Sequence, residues 1–130
     1  VDIANARLEF ANGCVANLTA SRISQKEMRK MRLFQEDVYI TIDFQTACLE
    51  EYKAYHEKPN NFSAEKVTEI GTNNKKYILY NKPLIPKHDA LREELRHFIH
   101  SIQHARQPET DGNSATEALR LALEIQSIIE

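Results

Sequence analysis

Across residues 3–10, the small and apolar side chains Ala4, Ala6, Leu8 and Phe10 alternate with Asn5, Arg7 and Glu9. A period of two marks a half-buried strand. Cys14, Ala16, Leu18 and Ala20 repeat the alternation against Val15, Asn17, Thr19 and Ser21. Asn12-Gly13 between the two runs tolerates the positive φ angles of a tight primed turn, so a β-hairpin is predicted. Residues 29–35 read as a third strand. Val38, Ile40, Ile42 and Phe44, alternating with Tyr39, Thr41 and Asp43, form a fourth across a Glu36-Asp37 turn. Residues 47–56 fit helix or strand by composition, and their place after a meander favours a strand. A loop over 57–63, with Pro59, Asn60 and Asn61, precedes two short strands at 66–70 and 76–80, which Gly71-Thr72-Asn73-Asn74 joins.

Beyond Pro83 and Pro86 the period changes to that of a helix. Leu91, Leu95, Phe98, Ile99 and Ile102 make one apolar stripe that Pro108 closes, and Ser114 with Glu117 fits a capping box opening a second helix. Leu121, Ala122, Ile125, Ile128 and Ile129 are its inward positions. Strands first and helices last predict an α+β fold: a largely antiparallel meander with both helices packed on one face. The other face is left open, carrying Asn5, Arg7, Val15, Asn17, Thr19, Tyr39 and Thr41. A wide, mildly polar sheet surface of this kind suits subunit pairing.

The chain has 130 residues, a single-domain length, and a net charge of −2, so no global field draws it to nucleic acid or an anionic membrane. Apolar residues at 42% and charged residues at 28% are the ordinary globular mix. No apolar run approaches the roughly 20 residues of a membrane span, and the basic-then-apolar pattern of a signal peptide is absent, so a soluble cytosolic protein is expected. Cys14 and Cys48 are too few for a disulfide framework or a cysteine metal site. The chain opens on Val1 and enters a strand pattern at once, which reads as an excerpt from a longer polypeptide.

Four groups of residues invite a chemical reading. His97, His100 and His104 share one side of the first helix, opposite the apolar stripe, and are expected to face solvent rather than a metal. Arg22, Lys26, Arg29, Lys30 and Arg32 crowd a short segment with only Glu27 opposing. Arginine forks match phosphate oxygens, so Arg22, Lys26 and Arg29 are candidates for a phosphorylated or nucleotide-linked sugar; the alternative is a solvated loop and edge strand. Only Phe34 lies near the segment as a stacking aromatic, which disfavours RNA binding. Glu57-Lys58-Pro59 sits in an Asn-rich loop, the wrong context for a catalytic lysine. Gly13, Gly71 and Gly112 are scattered, so no dinucleotide or ATP loop can be assembled, and no triad motif surrounds the serines and histidines.

Two stretches carry a family resemblance. Asp2-Ile3-Ala4-Asn5-Ala6-Arg7-Leu8-Glu9-Phe10-Ala11-Asn12-Gly13-Cys14-Val15-Ala16-Asn17-Leu18-Thr19-Ala20-Ser21-Arg22 resembles the hairpin near the start of the carboxy-terminal domain of the glucose-fructose oxidoreductase, inositol dehydrogenase and rhizopine catabolism (Gfo/Idh/MocA) family. Glu94-Leu95-Arg96-His97-Phe98-Ile99-His100-Ser101-Ile102, Pro108, Gly112 and Ala118-Leu119-Arg120-Leu121-Ala122 resemble that family's closing helices. The middle of the chain, residues 36–81, is not diagnostic.

The resemblance implies the second half of an NAD(P)-dependent oxidoreductase acting on a sugar, sugar-nucleotide or polyol. A preceding Rossmann domain would bind NAD or NADP and supply the catalytic lysine, while this domain shapes the substrate pocket and pairs subunits into a dimer or tetramer. The family's catalytic His and Asp would precede Val1, so no catalytic, cofactor or metal residue is assigned here, and the piece is expected to be inactive alone. The rival reading is a stand-alone, non-catalytic sheet module that dimerises or binds a protein partner.

Overall fold

The computed structural model of the chain describes residues 2–60, 62, 66–72, 74–86 and 89–129. Its elements are β1 (Ile3–Glu9), β2 (Val15–Ser21), β3 (Lys30–Phe34), β4 (Val38–Asp43), β5 (Cys48–Tyr55), β6 (Val67–Ile70), β7 (Lys76–Asn81), α1 (Ala90–Gln103) and α2 (Gly112–Ile129). The fold is α+β and every described strand pairing is antiparallel. In place of one continuous meander, the strands form two sheets: β1-β2, and β3-β4-β5-β7-β6. The chain divides into two units, Val1–Lys26 with Asp89–Glu130, and Glu27–His88. Asn61 and residue 63 of the expected loop, and Asn73 of the next link, lie outside the described residues.

In the first unit, β1 and β2 pair with Asn5 opposite Thr19, Arg7 opposite Asn17 and Glu9 opposite Val15. Their connection is wider than the two-residue primed turn expected. The Gly13 N–H donates to the Phe10 carbonyl at 2.9 Å, the Phe10 N–H to the Cys14 carbonyl at 2.9 Å, and Gly13 alone takes a positive φ, 84°. This is a three-residue loop with its glycine in the left-handed position. Asn12 keeps a negative φ because its carboxamide oxygen has another task, accepting the Cys14 N–H at 3.0 Å.

Helix α1 starts at Asp89, whose Oδ1 accepts the Leu91 and Arg92 N–H groups at 3.1 and 3.2 Å. It ends on Ala105 at φ 48°, with the Arg106 N–H donating to the Ser101 carbonyl and the Ala105 N–H to the Ile102 carbonyl. That pair of bonds is a Schellman closure with alanine where glycine is usual. Helix α2 is capped by Asp111 rather than by the expected Ser114. The Asp111 carboxylate, the stronger acceptor, takes the Ser114 N–H at 2.8 Å and is steadied by Gln107 at 2.7 Å. The Ser114 bond to its carboxylate is the main reason the Asp111 pKa falls below its ordinary value.

The helices also reverse one expectation about facing. Leu91, Leu95, Phe98, Ile99 and Ile102 are exposed, Leu95 to 54%, whereas Glu93, His97 and Ser101 are the covered row of α1, with Ser101 only 6% exposed. The Ser101 hydroxyl turns back onto the His97 carbonyl at 2.9 Å, so the buried hydroxyl is satisfied within its own helix. In α2, Leu121, Ile125 and Ile129 are half-buried, while Ala122 and Ile128 are exposed.

The second unit is the five-stranded sheet. Strand β7 lies inside it because Tyr77, Ile78, Leu79 and Tyr80 supply apolar bulk to both faces, while short, polar β6 takes the edge. Leu79, 6% exposed, is the buried hydrophobic residue among those described. Gly71 follows β6 at φ 87°, where a Cβ would meet the Asn74 carbonyl oxygen at 2.8 Å.

Candidate functional site

Direct cross-strand partners share a face in an antiparallel sheet, so the register sorts the five-stranded sheet into two chemistries. One face carries Phe34, Tyr39, Tyr52 and Tyr80 in a single row across β3, β4, β5 and β7. Their rings follow one another with centroids 4.9, 5.6 and 5.0 Å apart, the first two pairs stacked and Tyr52–Tyr80 tilted by 41°. The Thr41 hydroxyl donates to the Tyr39 oxygen at 2.9 Å. Cross-strand aromatic pairs stabilise a sheet and fix its register. The result is a continuous aromatic row across four strands.

Beside the band sits Glu50. Its Oε1 accepts the Tyr80 hydroxyl at 3.0 Å and faces the Lys82 ammonium at 3.3 Å. The Tyr80 hydrogen bond, followed by Lys82, holds the Glu50 carboxyl below its ordinary range. Desolvation and Glu50 raise Tyr80, while Glu50 raises Lys82. One row further, Asp43 accepts the Thr46 and Gln45 N–H groups at 3.1 and 3.0 Å and pairs with Lys30 at 3.1 Å. The Thr46 bond is the main cause lowering its pKa. Glu50 and Asp43 are thus the two paired carboxylates of this face, which also carries Arg32 and Lys76.

The opposite face carries Met31, Leu33, Val38, Ile40, Ile42, Leu49, Leu79 and Val67, joined toward its β6 side by Lys53, Tyr55, Tyr77 and Glu69. Within it lies one hydrogen-bonded polar pair: the Asn81 amide donates to Glu51 Oε2 at 3.3 Å, and the two residues are direct cross-strand partners.

The residues expected on one open face are divided between two sheets. Asn5, Arg7, Val15, Asn17 and Thr19 lie together on one face of the hairpin, where the Asn5 amide donates to the Thr19 hydroxyl at 2.9 Å. Tyr39 and Thr41 belong to the aromatic face of the five-stranded sheet. The basic candidates are likewise split. Arg22 and Lys26 fall in the first unit and Arg29 in the second. All three are exposed, the Arg22 N–H donates to the Asp2 carbonyl, and the Arg29 carbonyl accepts from Phe44. Lys30 of the same run is committed to Asp43.

Among the histidines, His100 and His104 stack with ring centroids 4.0 Å apart, and His104 Nδ1 lies 2.9 Å from the His100 carbonyl oxygen. The charge of His104 is the main influence lowering the His100 pKa. His97 is half-buried rather than solvent-facing. Among the described residues no group of three or more His, Cys, Asp or Glu is gathered to hold a metal, and no helix is long and apolar enough to cross a membrane. Cys14 is exposed and Cys48 half-buried, both as free thiols.

A nicotinamide cofactor needs a glycine-rich loop between a strand and a helix to cradle its pyrophosphate. The glycines here serve otherwise: Gly13 closes the hairpin, Gly71 accommodates Asn74, and Gly112 opens α2 after an Asp cap. The described residues do not fit that group. Sequence reasoning missed Tyr52, Tyr80, Glu50, Glu51 and Asn81. The signal for the two tyrosines was the recurrence of tyrosine in the patterns of β4, β5 and β7, but only the register shows which of them align.

No family model matches the chain. It is 32% identical over 130 residues to UDP-N-acetylglucosamine 3-dehydrogenase of Acidithiobacillus ferrooxidans, a match covering 99% of this chain and 37% of that protein. Two solved structures of that enzyme, in space groups P21 and P212121, are similar to it with TM-scores of 0.74 and 0.75 at 28% identity. They cover 95% and 98% of this chain, which spans 34% of each of theirs. The chain is thus similar throughout its length to about a third of a dehydrogenase.

Proposed function

We propose that this chain is the carboxy-terminal, substrate-side domain of an NAD(P)-dependent dehydrogenase of the Gfo/Idh/MocA family acting on a nucleotide-linked sugar. The observation that carries the reading is the end-to-end similarity to a UDP-N-acetylglucosamine 3-dehydrogenase, whose length is largely unmatched here. The hairpin and tail residues that resemble the family point the same way. Coenzyme binding and hydride transfer then belong to a Rossmann domain elsewhere in the polypeptide, consistent with glycines unsuited to a phosphate cradle.

In this reading the chain's own residues bind and orient. Arg22, Lys26 and Arg29, exposed and basic, attract the diphosphate of the sugar nucleotide. The aromatic face with Tyr39 and Thr41, and the hairpin face with Asn5, Arg7, Val15, Asn17 and Thr19, pair subunits in a cytoplasmic homo-oligomer. Tyrosine-rich surfaces suit such interfaces.

The test is turnover of UDP-N-acetylglucosamine by the polypeptide that contains this chain in its natural reading frame, with NAD and with NADP. Oxidation with either coenzyme is expected, and Arg22→Glu with Arg29→Glu should raise KM with little change in kcat. A reading frame lacking an upstream glycine-rich strand-turn-helix would remove the proposal.

A further inference from the structure

An amphipathic helix is stabilised in water by turning its apolar stripe onto another surface. Helix α1 does the reverse. Glu93, His97 and Ser101 are its covered row, while Leu91, Leu95, Phe98, Ile99 and Ile102 stand 53% to 65% exposed. Spaced three and four apart, these side chains form one patch along about three turns, and a continuous apolar patch in water marks an interaction surface. Leu91, Leu95 and Ile99 share a shallow hollow with Arg92, Arg96 and His100, which recur every fourth residue along one edge of the stripe. Arg96 is tied to Glu93 at 2.7 Å, whereas Arg92 makes no ion pair among the described residues. A partner for this surface is therefore apolar at its centre and acidic at its rim.

About two thirds of the similar dehydrogenase has no counterpart in this chain. In the reading above that remainder precedes Val1. Residues Val1–Lys26 and both helices belong to one unit, so a preceding domain is joined to the same unit whose helix stripe is uncovered. A tether of this kind makes docking intramolecular, which favours it over capture of a separate molecule.

We propose that the α1 stripe is the docking surface for the preceding, coenzyme-binding part of the same polypeptide, which presents an apolar patch with a carboxylate facing Arg92. The proposal rests on the dehydrogenase reading and adds to it the seam that holds the two parts together.

The experiment uses the full polypeptide, with p-benzoylphenylalanine in place of Leu95 and, separately, of Ile99. Isotopically light and heavy protein are mixed and irradiated, and the joined peptides are identified by mass spectrometry. The expected product links the probe to an apolar, acid-containing peptide upstream of Val1 within one copy. A light-to-heavy product, which means a second copy covers the stripe, overturns the proposal. So does a product confined to residues 1–130, or no product. In the same polypeptide Leu95→Asp should lower the melting temperature by about 5 °C and Arg92→Glu by about 2 °C; unchanged melting of both also overturns it. Upstream cross-links without oxidation of UDP-N-acetylglucosamine would sink the dehydrogenase reading and keep the seam, and oxidation without those cross-links would do the opposite. A reading frame with no preceding domain sinks both.

Discussion

The two units of this chain handle apolar surface in opposite ways. The five-stranded sheet sorts its side chains by face, one holding the aromatic row with the Glu50 and Asp43 ion pairs, the other most of the aliphatic residues around Leu79. The helices of the other unit are well capped, yet Leu91, Leu95, Phe98 and Ile102 stay exposed. Local rules of capping and periodicity are enough to build a helix; covering its stripe takes a second surface, and periodicity alone does not name it.

Leucine truncations break that comparison most sharply. Leu79→Ala should cost about 3 kcal/mol in urea denaturation, since it removes a buried side chain. Leu95→Ala should cost less than about 1 kcal/mol in the isolated chain, because more than half of the residue is already in water. Equal costs would mean the α1 stripe is as covered as the sheet core. Next in size is the aromatic band. Tyr52 stacks on Tyr39 and meets Tyr80 at a tilt, so Tyr52→Ala should lose about 2 kcal/mol; Phe34 ends the row with one ring contact, so Phe34→Ala should lose about 1 kcal/mol. Reversal of that order would argue against a continuous row.

Acid provides a third probe. The Glu50 carboxyl is held below its ordinary 4.5. Its contribution is therefore full above that value and is lost as pH falls through the lowered one. Sheet stability followed by circular dichroism should decline below about pH 4.5, and Glu50→Gln should flatten that decline; an unchanged slope would show that the Tyr80 and Lys82 contacts do not form in solution. A last effect, of opposite sign, concerns the helix end. Ala105 holds φ 48°, a region that disfavours any residue with a Cβ, so Ala105→Gly should stabilise the chain by about 1 kcal/mol in thermal melts.

Much of this architecture was legible in the sequence. Strict alternation placed β1, β2 and β4, and the change of period after Pro86 placed both helices, because those signals are local. What escaped was decided by competition or by register. Asp111 outcompeted Ser114 for the α2 cap as the stronger acceptor. Gly13 alone took the left-handed angle, so the hairpin loop gained a residue. The division into two sheets and the insertion of β7 between β5 and β6 depend on which strands meet, which no alternation encodes. The site was less legible for the same reason. Tyr39 and Thr41 were singled out, but Tyr52, Tyr80 and Glu50 join them only through pairing across 30 or so positions of chain.

The proposed division of labour, in which this chain holds substrate and another domain holds coenzyme, is tested most directly by titrating NADH and NADPH, followed by fluorescence, into the 130-residue chain and into the polypeptide that contains it in its natural reading frame. The expected result is saturable coenzyme binding and sugar-nucleotide oxidation by the containing polypeptide alone. Tight stoichiometric binding of either coenzyme by the 130 residues by themselves would contradict it.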